Sequence, residues 1–314
     1  MSAYYTQRMA ATLVLEDTDG TFKQPVASDM VFPLSVEPIA TELGITEGLR
    51  DANGKFSRGR YFKGKQSLTT TLHSYLMEPV DPVNTTGDIE ISPLFIMSGF
   101  RLEDGTTNKK LVWDGETPCT TGSMTAVNLG CGTGTSGAGW DLRGMRTSIE
   151  IMAEATGSVF NVNAAATACV EDYSQTKTAV TKVYANGADD ANVEMFVGSL
   201  VFDGVATAVD ALTISMNATQ KVRGDSGATG GAELVSTTDY DPKVTITAPV
   251  GADTASWWQN VLNGTVITEL VYTGTYFDIT LSDLSIANHS QADLEGELAL
   301  TQELSFAKIE IQAK

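Results

Sequence analysis

Apolar and polar residues alternate with a period of two along much of the chain, and helical spacing is scarce. Five stretches place apolar side chains on one parity: Leu68, Leu72 and Leu76; Ile149, Ile151 and Ala153; Leu212, Ile214 and Met216; Val244, Ile246 and Ala248; and Leu294, Leu298 and Leu300. Such alternation is typical of antiparallel strands with one face in a core and the other in water. The parity of the last stretch reverses near Ala307, which predicts a β-bulge there. The pattern therefore predicts a mainly-β fold.

Two short segments carry helix signals instead. In SPLFIMSGF, Ser92 is the expected N-cap, Pro93 the first helical residue and Gly99 the end. In DTASWWQNVLNG, Asp253 or Thr254 is the expected cap, and the closing Asn-Gly pair is the expected end. The two adjacent tryptophans of this second segment are expected to pack on a sheet rather than to line a ligand site.

The two helical segments have similar surroundings. An alternating strand precedes each one, and a polar, glycine-containing stretch precedes that strand: GLRDANGKFSRGRYFKG in one half and QKVRGDSGATGGAELVSTTD in the other. This order predicts two related β-sandwich or barrel-like domains, each with a short flanking helix. We place them at residues 1–175 and 176–314, with the boundary in the polar stretch 171–190.

Charge narrows the range of functions. The chain has 314 residues, of which 42% are hydrophobic and 19% charged, and its formal net charge is −19. The net charge is −5 over residues 1–150 and −14 over residues 151–314. A surface this acidic disfavours nucleic-acid binding, because phosphate contacts need Lys and Arg. It would suit a surface past which DNA must slide without sticking.

The cysteines and the N-terminal sequence favour a protein that is not secreted. Cys119, Cys131 and Cys169 lack metal-ligand spacing and are expected to be free thiols in a reducing compartment. The N-terminal stretch has no apolar leader region, and no run approaches 18 apolar residues. We therefore expect neither a secretion signal nor a membrane span.

The run GTGTSG, residues 132–137, matches the G-x-G-x-x-G fingerprint of dinucleotide sites. That fingerprint requires a helix directly after it, so that the amides at the helix N-terminus meet the pyrophosphate. Here the run leads into AGWDLRGMRTSIEIMAEA, which alternates as a strand does. We interpret the run as a loop between strands, and we expect no cofactor.

Other catalytic and metal-binding patterns are weak, and no enzyme activity is expected. His289 lies near Ser290 and Asp293, but no exposed nucleophile motif accompanies it, so a solvated turn histidine is favoured over a triad. His73 is expected on a strand face, at the surface or in an interface. DTDGT and DANG, which begin at Asp17 and Asp51, lack the trailing Glu of a calcium loop and are interpreted as hairpin turns.

One basic segment interrupts this acidic chain. Six cations lie between residues 50 and 65 against a single acid: Arg50, Lys55, Arg58, Arg60, Lys63 and Lys65. The segment is either a solvated turn or a docking element for the acidic surface of another copy. A docking element of this kind would set register and association rate more than affinity.

The layout resembles that of the major tail proteins, or tail-tube proteins, of long-tailed bacteriophages. The resemblance rests on GKQSLTTTLHSYLMEP followed by ISPLFIMSGFRLEDG, on WDLRGMRTSIEIMAEATGSVFNVN, on DYDPKVTITAPVG with WWQNVLNGTVITELVYTG, and on the closing DITLSDLSIANHSQADLEGELALTQELSF. It covers most of the chain and is one of layout, since no single motif is diagnostic.

The resemblance implies a structural virion protein without catalytic activity. Copies would assemble into stacked rings around a DNA conduit in a tail expected to be non-contractile, with genomic DNA passing unbound. Two related halves favour a ring of three chains with pseudo-sixfold symmetry, and a true hexamer is the alternative. The tape measure protein and the tail terminator are the other implied partners. Assembly would take place in the host cytoplasm.

The resemblance also suggests roles for particular residues. A long family loop reaches the neighbouring ring, and residues 44–65 are the candidate for it, with residues 220–240 in the equivalent place of the second half. Candidate acids facing the lumen are those that alternate with apolar residues on strands: Glu150, Glu154, Glu295 and Glu297. They could equally face outer solvent. A tail terminator, a capsid decoration protein, and a carbohydrate-binding or hydrolytic β-sandwich are the alternative functions.

Overall fold

A computed structural model of the chain describes residues 4–26, 35–37, 39–42, 45–47, 61–63, 65–79, 89, 91–105, 108–116, 120–130, 136–179, 192–225, 227–228, 231–251, 254, 257–264, 266–294 and 297–314. Strands contain 64% of the residues and helices 5%, which confirms the mainly-β class.

The elements follow one another along the chain in the order below. The first eleven strands are β1 (Tyr4–Leu15), β2 (Ser35–Val36), β3 (Ala40–Glu42), β4 (Ile45–Glu47), β5 (Tyr61–Lys63), β6 (Ser67–Tyr75), β7 (Arg101–Asp104), β8 (Lys109–Trp113), β9 (Gly122–Gly130), β10 (Ser136–Ala153) and β11 (Asn161–Thr178). The later strands are β12 (Ser199–Phe202), β13 (Val205–Ala206), β14 (Ala211–Ser215), β15 (Thr219–Gly224), β16 (Ala232–Asp239), β17 (Lys243–Pro249), β18 (Ile267–Thr273), β19 (Phe277–Leu294), β20 (Glu297–Ser305) and β21 (Lys308–Ala313). Helix α1 (Ser92–Met97) follows β6, and helix α2 (Trp257–Asn263) follows β17.

The larger sheet is a row of eight antiparallel neighbours in the order β2, β6, β11, β10, β14, β17, β20 and β19. Strand β3 lies beside β6 next to β2, and β9 and β1 extend the sheet from the first part of β10. The hairpins β4–β5 and β15–β16 are separate two-stranded sheets. No ladder between described residues joins the two ends of the row, so the sheet is open.

The second sheet has the order β13, β12, β18, β19, β21, β8 and β7. Strand β19 belongs to both sheets. Its first part pairs with β18 and β21, and its second part, from Ser285 onward, pairs with β20. At the corner Asp283 has a φ of 55°, and the amide of Ala307 donates to the carbonyl of Ser282 at 3.2 Å. The parity reversal near Ala307 thus marks the gap between β20 and β21 at this corner.

Both sheets contribute to one hydrophobic core. Its buried side chains include Leu13 of β1, Ile151 of β10, Leu270 of β18 and Ile311 of β21. The apolar positions of the first four alternating stretches are buried as predicted. In the fifth stretch Leu300 is buried, but Leu298, near the start of β20, is 52% exposed, and the side chain of Leu294 lies outside the described residues.

Both helices form where the sequence predicts them, but the first begins differently. Ile91 occupies the N-cap position of α1 without a side-chain cap, so Ser92 is the first helical residue and the prediction of a Ser92 cap was wrong. Gly99 ends this helix with a φ of 95°. Helix α2 ends at Gly264, whose φ is 59°, in a left-handed conformation that favours glycine.

Trp257 of α2 confirms the packing prediction. Its side chain is 1% exposed, and its ring packs edge-on against Phe202 with 5.4 Å between the centroids. It therefore belongs to the core. The side chain of Trp258 lies outside the described residues.

The predicted division at residues 175 and 176 falls inside β11. The β10–β14 and β8–β21 ladders join residues from both sides of it, and the core is shared. Folding of the two parts as separate domains stays a prediction.

Candidate functional site

The larger sheet consists of two four-strand units with the same internal order. In the first unit β2 pairs with β6, β6 with β11, and β11 with β10. In the second unit β14 pairs with β17, β17 with β20, and β20 with β19. In each unit the first two strands are separated in sequence by a two-stranded hairpin, and a short helix follows the second strand. The order predicted for the internal repeat is therefore present in the fold.

The two units join through one ladder, and each has one outer strand edge that no described strand pairs with. The last strand of the first unit, β10, pairs with the first strand of the second unit, β14, through Glu150–Ala153 and Leu212–Ser215. The outer edge of β2 and the outer edge of β19 from Ser285 onward have no ladder partner among the described residues. Strand β2 is the counterpart of β14, and β19 is the counterpart of β10. The two outermost strands of the row are therefore of the same two kinds that pair at its middle.

One continuous row of cross-strand partners runs along the polar face of the eight strands. It contains Ser35, His73, Asn163, Glu150, Ser215, Lys243, Ser305 and Ser285. The next row, whose side chains point into the core, includes Val162, Ile151, Ile214, Val244, Leu304 and Ile286. One face of the sheet is therefore apolar and buried, and the other is polar and rich in Ser and Thr.

Hydrogen bonds connect the polar face across strands. His73 Nδ1 lies 2.7 Å from Asn163 Oδ1, and Asn163 Nδ2 donates to Glu150 Oε2 at 3.2 Å. His73 Nε2 lies 3.4 Å from the exposed carboxylate of Glu37. A hydrogen bond from Thr71, and to a lesser extent one from His73, lowers the pKa of the Glu37 carboxyl. This confirms the prediction that His73 lies on a strand face.

The second unit carries an ion cluster on the same face. Lys243 Nζ lies 3.1 Å from a carboxylate oxygen of Glu303 and 3.3 Å from one of Asp241. Hydrogen bonds to these two acids raise the pKa of the lysine. The lysine is thus neutralised within the chain, so it offers no free positive charge to phosphate groups.

The predicted acids lie at different places on this surface. Glu150 is half-buried in the polar row, and Glu154 is exposed just beyond the end of β10. Glu297 is a residue of β20, but its side chain, like all of Glu295, lies outside the described residues. Whether these acids face a lumen stays a prediction.

The hairpin β15–β16 packs against β10 and β11 on the same side of the sheet as the polar row, with Ala232 and Val235 over Cys169. Arg143, which is 7% exposed, donates to the carbonyl oxygens of Gly20 at 2.7 Å, Ala232 at 2.7 Å and Glu233 at 2.6 Å. Its Nε lies 2.7 Å from a carboxylate oxygen of Glu171. The guanidinium therefore fixes this hairpin to the main sheet, which the sequence alone did not indicate.

A buried carboxylate supports the same region. Glu16, 6% exposed, accepts hydrogen bonds from the amides of Gly20 at 2.6 Å and Gly144 at 2.8 Å and from the hydroxyl of Ser123 at 2.7 Å. Burial raises its pKa, although these hydrogen bonds oppose the shift. The cluster joins β1, β9 and the irregular part of β10 around Gly144.

Most of the predicted basic segment lies outside the described residues. Arg50, Lys55, Arg58 and Arg60 belong to this part, and Lys63 is described only as a residue of β5. Lys65 is exposed, and its ammonium donates to the carbonyl of Val222 at 3.4 Å. Lys65, the last cation of the segment, therefore lies next to the hairpin β15–β16.

The glycine-rich run is followed by a strand, as predicted. Residues 132–135 lie outside the described residues, and Ser136 and Gly137 begin β10. Gly137 pairs with Leu129 and Lys177. Because the chain continues as a strand, this part of the run has no helix N-terminus to receive a pyrophosphate.

Two smaller predictions were wrong. His289 is not a turn residue: it lies within β19 and is half-buried, and burial lowers its pKa. It cannot form a triad with Ser290, since neighbouring strand residues point to opposite faces. Asp17 and Asp19 do lie in a turn, but not in a hairpin, because β1 pairs with the distant β9. Asp51 lies outside the described residues.

The thiol and metal predictions can be examined only in the described parts. Cys169 is a free, buried cysteine under the hairpin β15–β16, and burial raises its pKa to about 11. Cys119 and Cys131 lie outside this part of the chain. Within the part the structure describes, no three His, Cys, Asp or Glu side chains are grouped as metal ligands would be, and neither helix could cross a bilayer.

Comparison with known proteins adds no assignment. No family model matches the chain, and no curated protein matches its sequence. Function is therefore inferred from the two four-strand units, their unpaired outer edges and the polar face of the sheet.

Proposed function

We propose that this chain is a structural subunit that assembles head to tail into stacked rings, forming the tail tube through which a long-tailed bacteriophage ejects its DNA. The observation that carries the proposal is the repeated four-strand unit. The β10–β14 ladder joins two units inside one chain, and the free edge of β19 can join the free edge of β2 in the next copy in the same way. Such a heterologous contact closes into a ring when the rotation between copies permits.

The register of the two units supports equivalent pairing. The polar row places His73 and Lys243 at corresponding positions of β6 and β17, and a Pro-Val dipeptide begins six residues after each of them. By this correspondence Ser285 of one copy would face Ser35 of the next copy as Glu150 faces Ser215. Pairing of this kind also removes two open strand edges, which are otherwise sites of aggregation.

Three copies would contribute six units, which suits a pseudo-sixfold ring. With eight neighbouring strands per chain, the ring would have roughly 24 strands, beyond the number at which barrels enclose an aqueous channel. A polar face on which Lys243 is already paired with acids, in a chain of net charge −19, would line such a channel without binding DNA. We assign the polar face to the lumen and propose Glu150 and Glu154 among its acids.

The decisive experiment is negative-stain microscopy of the purified protein over a range of concentrations. Rings that stack into hollow tubes are the expected result. A particle that stays monomeric at every concentration, even when preassembled tail tips are added as initiators, would overturn the proposal. Rings that never stack would instead support the tail terminator as the function.

A further inference from the structure

Two arginines on the irregular part of β10 are buried, and they differ in their partners. Arg143 is 7% exposed, and its Nε lies 2.7 Å from a carboxylate oxygen of Glu171. Arg146 is 0% exposed, and its Nη1 donates to the carbonyl oxygen of Thr120 at 2.5 Å. Among the described residues, no acceptor bonds Nε or Nη2 of Arg146, and no carboxylate forms an ion pair with it. One guanidinium is therefore neutralised within the described chain and the other is not.

Arg146 lies between two places at which the hairpin β15–β16 is attached to the sheet. It is the cross-strand partner of Thr167, which lies on the same face of β11 as Cys169. On one side of Thr167, Val235 of the hairpin packs over Cys169. On the other side, the side-chain amide of Gln220 donates at 3.5 Å to the carbonyl of β11 two residues before Thr167. The hairpin therefore covers the guanidinium of Arg146.

The hairpin places a second unpartnered donor over the same part of the sheet. Thr237 is the cross-strand partner of Gln220, and it lies two residues after Val235 on the face of the hairpin that meets the sheet. Its hydroxyl oxygen is buried and has no hydrogen-bond partner among the described residues. Because Val235 and Gln220 lie on either side of Thr167, this register puts Thr237 over Thr167 and next to Arg146.

The charge of Arg146 requires a counter-charge. A guanidinium is not deprotonated in proteins, and a buried charge without a partner is strongly destabilising. The acids that bond to this region are already engaged: Glu16 accepts from the amide of Gly144 at 2.8 Å, and Glu171 is paired with Arg143. The described part of the chain thus supplies no anion for Arg146, and an added one would have to bind from solution.

We propose that Arg146 and Thr237 hold a small monovalent anion between the hairpin β15–β16 and the sheet. The Nε–H and Nη2–H groups form one edge of the guanidinium, the edge that binds carboxylates and other anions with two parallel hydrogen bonds. The hydroxyl of Thr237 donates the third bond. A single negative charge balances the guanidinium, and the enclosed position selects an ion of the size of a halide or formate. This inference does not depend on the proposed function.

The stability of the protein should then depend on the anion in solution. Urea midpoints are measured at constant ionic strength while gluconate, which is too large for the site, is replaced by bromide as the probe. A ligand that binds only the folded protein raises the midpoint as its concentration rises. We expect this rise in the wild type and in Arg223→Gln, which removes an exposed charge from the same hairpin, and its loss in Arg146→Gln. General salt effects act on all three proteins alike, so an equal response in all three, or no response in any, would overturn the inference.

Two further measurements apply even if Arg146→Gln does not fold. Thr237→Val keeps the guanidinium and the side-chain shape but removes one donor, so the rise in the midpoint should need a several-fold higher bromide concentration. Crystals of the wild type grown in bromide should show an anomalous peak within roughly 3.5 Å of Nε and Nη2 of Arg146. A guanidinium edge bonded only to water or to protein oxygen atoms in those crystals would overturn the proposal, as would an unchanged bromide dependence in Thr237→Val.

Discussion

Glu150 and Ser215 face each other across the β10–β14 ladder, and this pair marks the junction between the two four-strand units. Each residue is in register with a polar partner on the other side, Asn163 for Glu150 and Lys243 for Ser215. The junction is therefore an ordinary antiparallel pairing, and nothing in it depends on the two strands belonging to one chain. This is why the free edges of β2 and β19 lead us to expect the same pairing between copies.

A pair of cysteines tests that pairing directly. Replacing Ser35 and Ser285 by cysteine places two thiols at positions that would face each other between copies. Directly opposed residues in antiparallel strands have Cα atoms about 4.5–5.5 Å apart, within the range for a disulfide. We expect mild oxidation of the assembled protein to give covalent species ending at three chains on a non-reducing gel, in a background with Cys119 and Cys131 replaced by serine.

The control for this experiment is built into the sheet. Within one chain seven strand spacings, roughly 34 Å along the sheet, separate Ser35 from Ser285, and no ladder between described residues brings their strands together, so we expect no intramolecular bridge. The variant Ser35→Cys/Ser290→Cys is out of register and should remain uncrosslinked. Equal crosslinking of both pairs would indicate random collisions and contradict the proposed ladder.

Arg143 is expected to be a major contributor to stability. Its replacement by alanine leaves three carbonyl oxygens without their charged donor and frees the carboxylate of Glu171. We expect a loss of about 2–4 kcal/mol in the free energy of unfolding, measured by urea denaturation. Arg223→Ala is the matched control, since Arg223 is exposed and lies 3.9 Å from Glu233, and it should change stability by less than about 0.5 kcal/mol.

The reactivity of the Cys169 thiol should show whether Arg143→Ala loosens the hairpin above it. In the native protein it is buried under the hairpin, and its pKa of about 11 keeps it protonated at neutral pH, so its reaction with thiol reagents should be slow. Arg143→Ala should speed that reaction, and Arg223→Ala should not. An unchanged rate in Arg143→Ala would show that the hairpin does not depend on the guanidinium.

Glu194 is expected to tolerate even a conservative change poorly. Its two carboxylate oxygens together accept from the amides of Thr275, Tyr276 and Phe277 and from the hydroxyl of Tyr272. Glutamine keeps the shape but replaces one acceptor by a donor, so Glu194→Gln should cost about 1–3 kcal/mol in unfolding free energy. The same change at exposed Glu154 should have no measurable effect on thermal unfolding, and an equal effect at both positions would contradict the assignment.

The pH dependence of stability should carry a signature of Glu16. Burial raises its pKa above the ordinary value of 4.5, so the folded protein holds the proton more tightly than the unfolded chain does. This contribution is fully present below the unfolded pKa and is lost as pH rises through the higher folded pKa. Relative to Glu16→Gln, the wild type should therefore lose unfolding free energy as the pH rises above 4.5.

The measurement is the difference between the urea midpoints of the two proteins across the weakly acidic range. Other carboxylates contribute to both curves, including Glu37 and Glu310, whose pKa values are lowered, and so their effects cancel in the difference. A difference that stays constant with pH would show that the pKa of Glu16 is not raised.

The strand positions were predictable because alternation is a local property. Ile149 and Ile151 are buried and Glu150 is not, simply because neighbouring strand residues point to opposite faces. The helix ends at Gly99 and Gly264 were predictable for the same reason, since a positive φ favours glycine regardless of distant contacts. The failure at Leu298 shows the limit, because alternation gives the face but not how far the core extends along it.

The chain by itself determined the mainly-β class, the faces of its strands, its two short helices and the repeated order of its halves, because these follow from local spacing. Only the tertiary structure decided which strands become neighbours, that β19 passes from one sheet to the other, and that Arg143 and Glu16 fix the hairpin region. Those features depend on ladders between residues as distant as β1 and β9 or β8 and β21. Any two strands with the same alternation could pair. The shared core therefore determines which strands become neighbours, and the sequence of a single strand does not.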